Sequence, residues 1–544
     1  MAQTLYYGGT ILTMEADGCA QAVLVEDGRI AAVGTEAEVF AVKAADALCV
    51  DLKGRTMMPS FMDGHSHITA LASTLGLVPL EDAASFDDIV SGIVTYIKER
   101  RPEPGSFVIG FGYDHNYLAE KRHPDRYVLD AVQKTLEESG INGDYQLMIG
   151  HASGHMGVVN SKALAALGID ENTPDPSGGV IGRLADGKTP SGYLEENAFT
   201  GMSAQVPRPS AKELMDNLGA AEEIYLSHGI TTIQDGLTKA PEWAMLKMMA
   251  DHHRFRADVI AYVDIKDNAH LVEDNADYDR KYKNHLKIGG YKLFLDGSPQ
   301  GRTAWMSQPY RDSSHPDQED PEKYRGYPIY EDAQVDAYVK KAAYEGRQII
   351  THCNGDAACQ QLIDACAKAD CAPIRPVMIH AQLVRRDQLE EMARLGMIAS
   401  FFVAHTWYWG DIHWNNFGKE RASVISPVKS ALRAGVPVTF HQDTPVLMPD
   451  MIDTIWCAMN RITRGGQCLD ASERANVWDA LNAVTTQCAW QYFEEDTKGS
   501  IRVGKLADLV ILSENPLEVP AADFRQIKVL ETIKEGRSVW KAAK

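Results

Sequence analysis

Short apolar runs with little alternation of polar residues recur through the middle of the chain and predict strands buried on both faces. Between them lie helical candidates such as residues 331–346 and 385–396. Repeated strand-then-helix units are typical of a parallel sheet, and eight of them predict a TIM-like (β/α)8 barrel. The predicted strands lie within residues 59–68, 145–155, 229–236, 289–297, 347–356, 375–383, 396–405 and 435–446.

The two ends of the chain show a different pattern, in which apolar and polar residues alternate between Gly and Asp-Gly turns. This pattern fills the first 60 residues and returns in residues 499–516 and 527–541. It predicts antiparallel hairpins, and chain termini often lie close together. We therefore expect one small β-sandwich domain composed of residues 1–58 and 498–544, with the barrel formed by residues 59–497.

Roughly residues 72–225 are too long for a simple connection between a strand and a helix. They contain the Gly/Pro-rich stretch "NTPDPSGGVIGRLADGKTPSGYLEENAF". We interpret this region as an insertion at the catalytic face of the barrel. The predicted fold class is therefore α/β, a (β/α)8 barrel with a terminal β-sandwich domain and one insertion.

Composition and charge narrow the functional classes. The chain has 544 residues, 45% of them hydrophobic and 24% charged, which is ordinary for a globular protein. A net charge of −21 argues against nucleic acid as a partner, because phosphate contacts need a basic surface. No apolar run is long enough to span a bilayer, and the start of the chain lacks the pattern of a Sec signal. We expect a small-molecule substrate, no membrane partner, and a homodimer by base rate.

Nine cysteines without a repeated spacing or a CxxC pair indicate reduced thiols rather than a disulfide framework. This composition predicts a cytoplasmic protein.

The segment "PSFMDGHSHI" places His65 and His67 one residue apart after a predicted strand. Residues i and i+2 of a strand point to the same side, so both imidazoles are expected to face one space. Neutral imidazoles are good ligands for zinc. A single HxH pair also arises by chance, so it needs support from other strands.

Other predicted strands carry metal-binding side chains at or near their ends. Because a barrel gathers the carboxyl ends of its strands at one mouth, these residues are expected to converge with His65 and His67. Together they offer ligand chemistry for two divalent ions, most plainly Zn²⁺. The added residues are Lys292, His352, His380 and Asp443.

Lys292 is unexpected in such a set, because an ammonium beside cations is strongly disfavoured. It needs neutralisation, an acidic partner or chemical conversion, and the residues alone do not choose among these.

In these motifs the chain resembles the metal-dependent amidohydrolases, in particular amidohydrolase family 3, which includes N-substituted formamide deformylase and YtcJ-like proteins. The resemblance covers nearly the whole chain and rests on several ordered motifs. They are "PSFMDGHSHI", "HASGHMGVVNSKAL", "KLFLDGSPQGRTA", "THCNGDAA", "IHAQ" and "GSIRVGKLADLVILSENPL".

The resemblance implies a role for each candidate. Lys292 matches a lysine that takes up CO₂ and becomes a carbamate bridging two metal ions, which removes the electrostatic objection. The four histidines match metal ligands, and Asp443 matches an aspartate that binds metal and shuttles protons. The implied activity is hydrolysis of a non-peptide C–N bond, of an amide or formamide, by a metal-activated hydroxide. His441 departs from the family, where a small residue is frequent.

Five further residues are candidate site residues, and each has a functional and an alternative interpretation. His155 matches a histidine that faces the site in relatives, or it is structural near a turn. Arg302 and Trp305 follow the lysine strand, where the arginine can clamp a substrate carboxylate or pair with a protein acid. Trp407 and Trp409 lie in an aromatic loop that favours an aromatic or apolar N-acyl substrate, or they pack the loop or a subunit contact.

Alternatives to amide hydrolysis stay open. The same scaffold serves deaminases and hydrolases of carbamates or lactones, and it does not exclude isomerisation. A non-catalytic regulatory protein is a further alternative, although a complete ligand set argues against it.

Overall fold

The computed structural model describes residues 3–115, 117–141, 143–152, 156–176, 179–203, 210–311 and 324–543. Contacts within the chain define two compact units. One consists of Met1–Leu71 with Leu218–Lys544, and the other is Ala72–Asn217. Across the described ranges, no helix is both long and apolar enough to cross a membrane.

The strands follow the chain in four groups. The N-terminal group is β1 (Gln3–Tyr7), β2 (Thr10–Leu12), β3 (Cys19–Ala20), β4 (Ala22–Glu26), β5 (Arg29–Gly34), β6 (Leu48–Asp51), β7 (Thr56–Pro59) and β8 (Phe61–Met62). The second group is β9 (Val78–Pro79), β10 (Phe107–Tyr113), β11 (Gln146–His151), β12 (Met156–Val159), β13 (Gly179–Arg183) and β14 (Pro190–Glu196). The third group is β15 (Ile230–Thr238), β16 (Asp258–Asp264), β17 (Leu286–Phe294), β18 (Gln348–Cys353), β19 (Val377–His380), β20 (Ile398–Phe401) and β21 (Val438–Phe440). The last group is β22 (Leu509–Leu512), β23 (Val529–Lys534) and β24 (Arg537–Lys541).

The helices alternate with these strands. They are α1 (Glu36–Val42), α2 (Ile68–Leu75), α3 (Phe86–Arg100), α4 (Arg126–Glu138), α5 (Ser161–Ala166), α6 (Asn197–Ser203), α7 (Ala211–Ser227), α8 (Ala240–Asp251), α9 (His270–Asp274), α10 (Asp332–Tyr344), α11 (Asp356–Ala369), α12 (Arg386–Arg394), α13 (His405–Tyr408), α14 (Gly410–Phe417), α15 (Lys419–Ser423), α16 (Val428–Ala434), α17 (Met451–Asn460), α18 (Val477–Ala483) and α19 (Thr486–Gln491). Several begin at a side chain that accepts a backbone N–H of the first turn, as Ser85, Asp125, Asn160, Asp450 and Asn476 do.

A curled parallel sheet of eight strands forms the centre of the first unit. Its order is β21-β20-β19-β18-β17-β16-β15-β8, and neighbouring strands pair in parallel. Beyond the paired strands, the Gly64 N–H donates to the Phe440 carbonyl, which brings the ends of the first and last strands together. Most residues of these strands are buried, consistent with the near-continuous apolar runs of the sequence.

One of the eight predicted strands is wrong. Residues 145–155 were expected in the barrel, but β11 belongs to the sheet of the other unit. The eighth strand is instead β16, between β15 and β17. An apolar run ending in histidine looked like the other barrel strands, whereas "DVIAYVD" in β16 carries no histidine at its end.

Strands from both ends of the chain share one sheet. Its order is β24-β23-β22-β7-β2-β3, with β22 antiparallel to β7. A second sheet, β5-β4-β1-β6, is entirely N-terminal. Val23, Met57, Leu509 and Ile533 belong to one buried apolar cluster that joins the two sheets.

A buried charge network links these terminal strands to the barrel. Asp258 in β16 accepts from Lys498 and Lys534, both at 2.6 Å, and Lys534 also binds Asp508 at 2.8 Å. Lys498 further pairs with Glu494 at 2.6 Å. Burial raises the pKa of Asp258, but the nearby lysines outweigh it and hold the pKa well below its usual value. Each buried lysine of the network is therefore paired with two carboxylates.

The second unit has its own mixed sheet, in the order β13-β14-β12-β11-β10-β9. Strands β9, β10 and β11 are parallel, and β12 to β14 are antiparallel. Apolar residues of α3 and α4, such as Ile93 and Val132, pack with strand residues Val78 and Leu147 in a separate core.

Candidate metal centre

The six predicted metal ligands all belong to the first unit and lie at the carboxyl side of the barrel strands. His65 and His67 follow β8, and Asp443 follows β21. Lys292, His352 and His380 lie in the C-terminal parts of β17, β18 and β19. Three of these side chains surround Asp443, and each of the other two contacts one of those three.

Asp443 has three histidines around its carboxylate. Its Oδ1 lies 3.5 Å from His65 Nε2 and 3.3 Å from His67 Nε2, and its Oδ2 lies 3.9 Å from His380 Nε2. These separations exceed the usual length of an N–H···O hydrogen bond. Within the described part of the chain, the buried Oδ1 has no hydrogen-bond partner. Three imidazole nitrogens therefore border the carboxylate.

The remaining ligands continue the cluster. Lys292 Nζ lies 3.1 Å from His65 Nε2, and His352 Nδ1 lies 3.1 Å from His380 Nε2. Lys292 is fully buried, and His65 and His380 are almost so.

Burial keeps these imidazoles neutral. Burial and the nearby Lys292 lower the pKa of His65 well below its usual value and that of His352 to about 4. Burial and the neighbouring imidazoles lower that of His380 well below its usual value. Neutral imidazoles retain the lone pair that metal binding requires.

Burial also lowers the pKa of Lys292 to about 7, although Asp443 and Cys353 act in the opposite direction. Burial acts to raise the pKa of Asp443, but His67, His441 and Lys292 outweigh it, and the pKa is lowered. At neutral pH the site thus offers an anionic carboxylate and a lysine that readily loses its proton.

Gln234 in β15 determines which nitrogen of His65 carries the proton. Its Nε2 donates to the Gly64 carbonyl at 3.1 Å and to the Tyr492 hydroxyl at 2.9 Å, and Tyr492 in turn donates to the Asp63 carbonyl. This fixes the amide so that Oε1 faces His65 Nδ1 at 2.5 Å. Since a carbonyl oxygen only accepts, Nδ1 carries the proton and Nε2 presents its lone pair to Asp443 and Lys292.

His441 contacts the cluster from behind His380. Its Nε2 lies 3.1 Å from His380 Nδ1, and its Nδ1 lies 2.9 Å from Ser400 Oγ. If His380 Nδ1 donates to His441, the Nε2 lone pair of His380 points toward Asp443. The residue that departs from the family is thus placed to orient a predicted ligand.

The residues fit a metal site by two observations. A buried oxygen of the Asp443 carboxylate meets no hydrogen-bond criterion in the described ranges. The Nε2 atoms of His65 and His67 lie 3.5 and 3.3 Å from it. Three of these residues, His65, His67 and Asp443, have ligand atoms that all lie within 4.8 Å of one another. Two lone-pair nitrogens and a carboxylate in this arrangement suit a divalent ion such as Zn²⁺.

The other predicted site residues contact the metal-binding cluster less directly. Arg302 Nε donates to Asn416 Oδ1 at 3.1 Å, which joins the loop after β17 to α14. The Trp305 N–H donates to Asp296 at 3.0 Å, and Asp296 Oδ1 lies 3.6 Å from His352 Nε2. Arg302 and Trp305 therefore lie on the loop that also adjoins His352.

The two predicted tryptophans of the aromatic loop have different surroundings. Trp407 lies edge-on to Trp456, with the Arg525 guanidinium over both rings. Trp409 contacts Phe402, whose ring lies 6.1 Å from His380 and 5.3 Å from His441, centre to centre. Of the two tryptophans, Trp409 is connected through Phe402 to the metal-binding cluster. His155, the remaining predicted residue, lies outside the described residues.

Sequence reasoning missed Gln234, Phe402 and Asp296. Asp296 is fully buried and accepts three backbone N–H groups, from Trp305, Asn354 and Gly355, while burial raises its pKa to about 7. Its position in "KLFLDGS", directly after a ligand strand, was a signal that could have identified it.

A sequence profile described as the amidohydrolase family matches residues 49–540 of the chain. The chain belongs to the amidohydrolase family. This confirms the resemblance found in the sequence, and it makes the protein a hydrolase of a metal-dependent family.

Individual relatives agree with this assignment. This amidohydrolase is 28% identical to the N-substituted formamide deformylase of Arthrobacter pascens, over 98% of each chain. It is 26% identical to the putative amidohydrolase YtcJ of Bacillus subtilis, over 99% of each. The fold is similar to that of an uncharacterized metal-dependent hydrolase from Pyrococcus horikoshii, with a TM-score of 0.75 and 24% identity over 96% of this chain and 99% of that one.

Proposed function

We propose that the protein hydrolyses a non-peptide C–N bond of an amide or formamide with the help of two divalent ions, preferably Zn²⁺. The residues that would hold these ions are His65, His67, His352, His380, Asp443 and a carbamate on Lys292. The observation that carries the proposal is the Asp443 carboxylate, surrounded at 3.3–3.9 Å by three imidazole nitrogens. Ions bound there supply a water of lowered pKa and polarise the carbonyl of the substrate.

Lys292 is suited to carbamate formation. Its lowered pKa, about 7, leaves a large neutral fraction at neutral pH. The neutral amine attacks CO₂, a new N–C bond forms, and one proton leaves, so a cation becomes an anion. Buried beside His65 at 3.1 Å, the resulting carboxylate would replace an unfavourable positive charge with a ligand.

Asp443 is the proposed proton carrier. Its lowered pKa keeps the carboxylate ionised, so it can accept a proton from the attacking water and return it to the leaving nitrogen. Its two oxygens face different neighbours, Oδ1 toward His65 and His67 and Oδ2 toward His380. Replacement by asparagine keeps the shape and removes the base.

An apolar substrate group is supported by the aromatic residues near the cluster. Phe402 lies against His380 and His441, and Trp409 packs on Phe402. We include Arg302 and Trp305 as substrate contacts because their loop adjoins His352. Trp407, and His155 outside the described residues, remain proposed contacts.

A substrate screen with Zn²⁺-loaded protein tests the function. N-formyl, N-acetyl, N-acyl-amino-acid and cyclic amides are compared by the amine released, with benzyl and small alkyl amine partners. We expect turnover of at least one amide class, loss with a chelator, recovery with Zn²⁺ or Mn²⁺, and loss in Asp443→Asn. Wild-type turnover by Asp443→Asn would refute its proton-transfer role, and equal efficiency on benzyl and alkyl compounds would refute an aromatic pocket.

A second candidate is hydrolysis with a single ion, as by a deaminase. It is favoured by the tight group of His65, His67 and Asp443, which is sufficient to hold one ion without His352. The number of ions at this centre, counted from anomalous peaks in Zn²⁺-loaded crystals, separates the two: two ions would support C–N hydrolysis with a carbamate on Lys292, and one ion would support the alternative.

A further inference from the structure

A second group of metal-binding side chains lies in the unit formed by Ala72–Asn217, and it shares no residue with the centre above. Asp114 and His115 directly follow β10, and His151 ends β11. These two strands are parallel neighbours, with Tyr113 paired to His151. The carboxyl ends of adjacent parallel strands therefore bring the three side chains together, as they do in the barrel.

Gly112 shapes the end of β10. The register between β10 and β11 shifts between Phe111 and Tyr113, so Gly112 is an extra residue, and its φ of +104° is one that other residues rarely adopt. A bulge of this kind re-aims the side chains that follow it. It precedes Asp114 and His115 and sets the direction in which they leave the strand.

The three ligand atoms form a nearly regular triangle. His115 Nδ1 lies 3.3 Å from His151 Nε2, and Asp114 Oδ1 lies 3.4 Å from His151 Nε2 and 3.8 Å from His115 Nδ1. The point equidistant from the three atoms lies about 2.0 Å from each, which is the Zn–N and Zn–O bond length in proteins. The side chains are thus already separated as ligands of one ion would be.

The two imidazoles hydrogen-bond to each other, and the Asp114 carboxylate lies somewhat farther from both. The distances of 3.4 and 3.8 Å between the carboxylate and the imidazoles exceed those of N–H···O hydrogen bonds. A comparable group in the first unit, Asp258 with His285 and Glu535, differs in this respect. There Asp258 is bound by His285 at 2.7 Å and by two lysines, whose ammonium groups neutralise its charge.

His123 supports the group from outside. Its ring lies over that of His115, with centroids 4.0 Å apart, and its Nδ1 lies 3.1 Å from the Tyr113 hydroxyl. His115 and Asp114 are 29% and 26% exposed in their side chains, and His151 is 9% exposed, so the group is accessible to solvent. Three protein ligands with solvent access leave one position open for water or a small ligand.

We propose that Asp114, His115 and His151 bind one divalent ion of the Zn²⁺ class, in addition to any ion held at the barrel centre. Two imidazole nitrogens and one carboxylate oxygen are ligands that suit Zn²⁺, whereas Ca²⁺ and Mg²⁺ prefer oxygen ligands alone.

The test counts Zn²⁺ on the full chain in a His65→Ala/His67→Ala background, which removes ligands of the barrel centre. Protein stripped of metal is titrated with Zn²⁺, separated from free ion, and analysed by mass spectrometry. We expect His151→Gln and Asp114→Asn each to bind one Zn²⁺ per chain fewer than the background. His123→Gln is the matched control, because it removes an imidazole from the same group but no ligand, and it should bind as the background does.

Equal Zn²⁺ content in the background and in both ligand variants would overturn the proposal, and so would loss of the ion in His123→Gln. Should the ligand variants fail to fold, crystals of the wild-type chain soaked in Zn²⁺ decide the question. An anomalous peak bonded to all three atoms supports the site, and its absence overturns it. Neither result depends on activity, so failure here leaves the proposed hydrolysis untouched.

Discussion

Gln234 is expected to control metal affinity without being a ligand. Its Oε1 holds the proton of His65 on Nδ1, so that Nε2 is free to bind. Gln234→Met keeps the size of the side chain and removes this acceptor. The free His65 ring can then place its proton on Nε2, the atom that must lose it when a metal binds.

The expected magnitude follows from similar contacts. Loss of the partner that orients a ligating imidazole lowers metal affinity about 10–100-fold, or about 1.4–2.7 kcal/mol. The buried Nδ1–H of His65 also loses its acceptor, which costs about 1–3 kcal/mol in the folded protein. Gln234→Glu retains an oxygen that accepts from Nδ1, so its metal affinity should stay within a few-fold of wild type.

Competition with a chelator of known affinity measures Zn²⁺ binding, and thermal unfolding of the metal-free protein measures stability. Gln348→Met is the matched control. Gln348 is also a buried strand glutamine, and its amide donates to the Arg375 and Gln491 carbonyls at 2.8 and 2.9 Å, not to a predicted ligand. It should lower stability with unchanged Zn²⁺ affinity.

Two results would refute the reasoning. One is a Zn²⁺ affinity of Gln234→Met equal to wild type. The other is an equal loss of affinity in Gln348→Met, which would show that a general loosening of the barrel is responsible.

Four further outcomes are expected. His441→Phe should weaken Zn²⁺ binding about tenfold in chelator competition, because it removes the acceptor for His380 Nδ1, and unchanged affinity would contradict this role. Gly236→Ala should abolish Zn²⁺ binding at the barrel centre, since its Cβ would lie 2.3 Å from His65 Cε1; a normal metal count would disprove it. In CO₂-free buffer, the metal-free chain should gain stability relative to Lys292→Met as the pH rises above 7, by at most about 1.4 kcal/mol per pH unit. Above its folded pKa of about 7 the buried lysine is neutral, whereas the lysine of the unfolded chain stays protonated up to about 10.5. A pH-independent difference between the two proteins in urea unfolding would refute this prediction. Asp258→Asn should destabilise the chain by about 3–5 kcal/mol in urea unfolding, because it removes the buried carboxylate that Lys498 and Lys534 share, and a loss below about 1 kcal/mol would exclude that cause.

The candidate metal ligands could be picked out of the sequence because their chemistry is local: each is a histidine, lysine or aspartate at the end of an apolar run. The same signal misplaced residues 145–155, since β11 is also an apolar strand that ends in histidine, but in another sheet. Nothing in one sequence distinguishes the two sheets, because the choice depends on pairing between distant segments.

Gln234 was missed for a different reason. A glutamine in a buried strand has no metal chemistry of its own, and its importance depends on the direction in which Gly64 and Tyr492 hold its amide. Phe402 likewise reads as an ordinary core residue until the position of His380 is known.

The salt link between Lys534 and Asp258 has a consequence for synthesis of the protein. Lys534 lies in β23, which emerges after every strand of the barrel, whereas Asp258 is made near the middle of the chain. A growing polypeptide on the ribosome would hold the aspartate without this counter-charge, and β7 without its partner β22. We therefore expect the barrel to reach its full stability only after the last strands have left the ribosome.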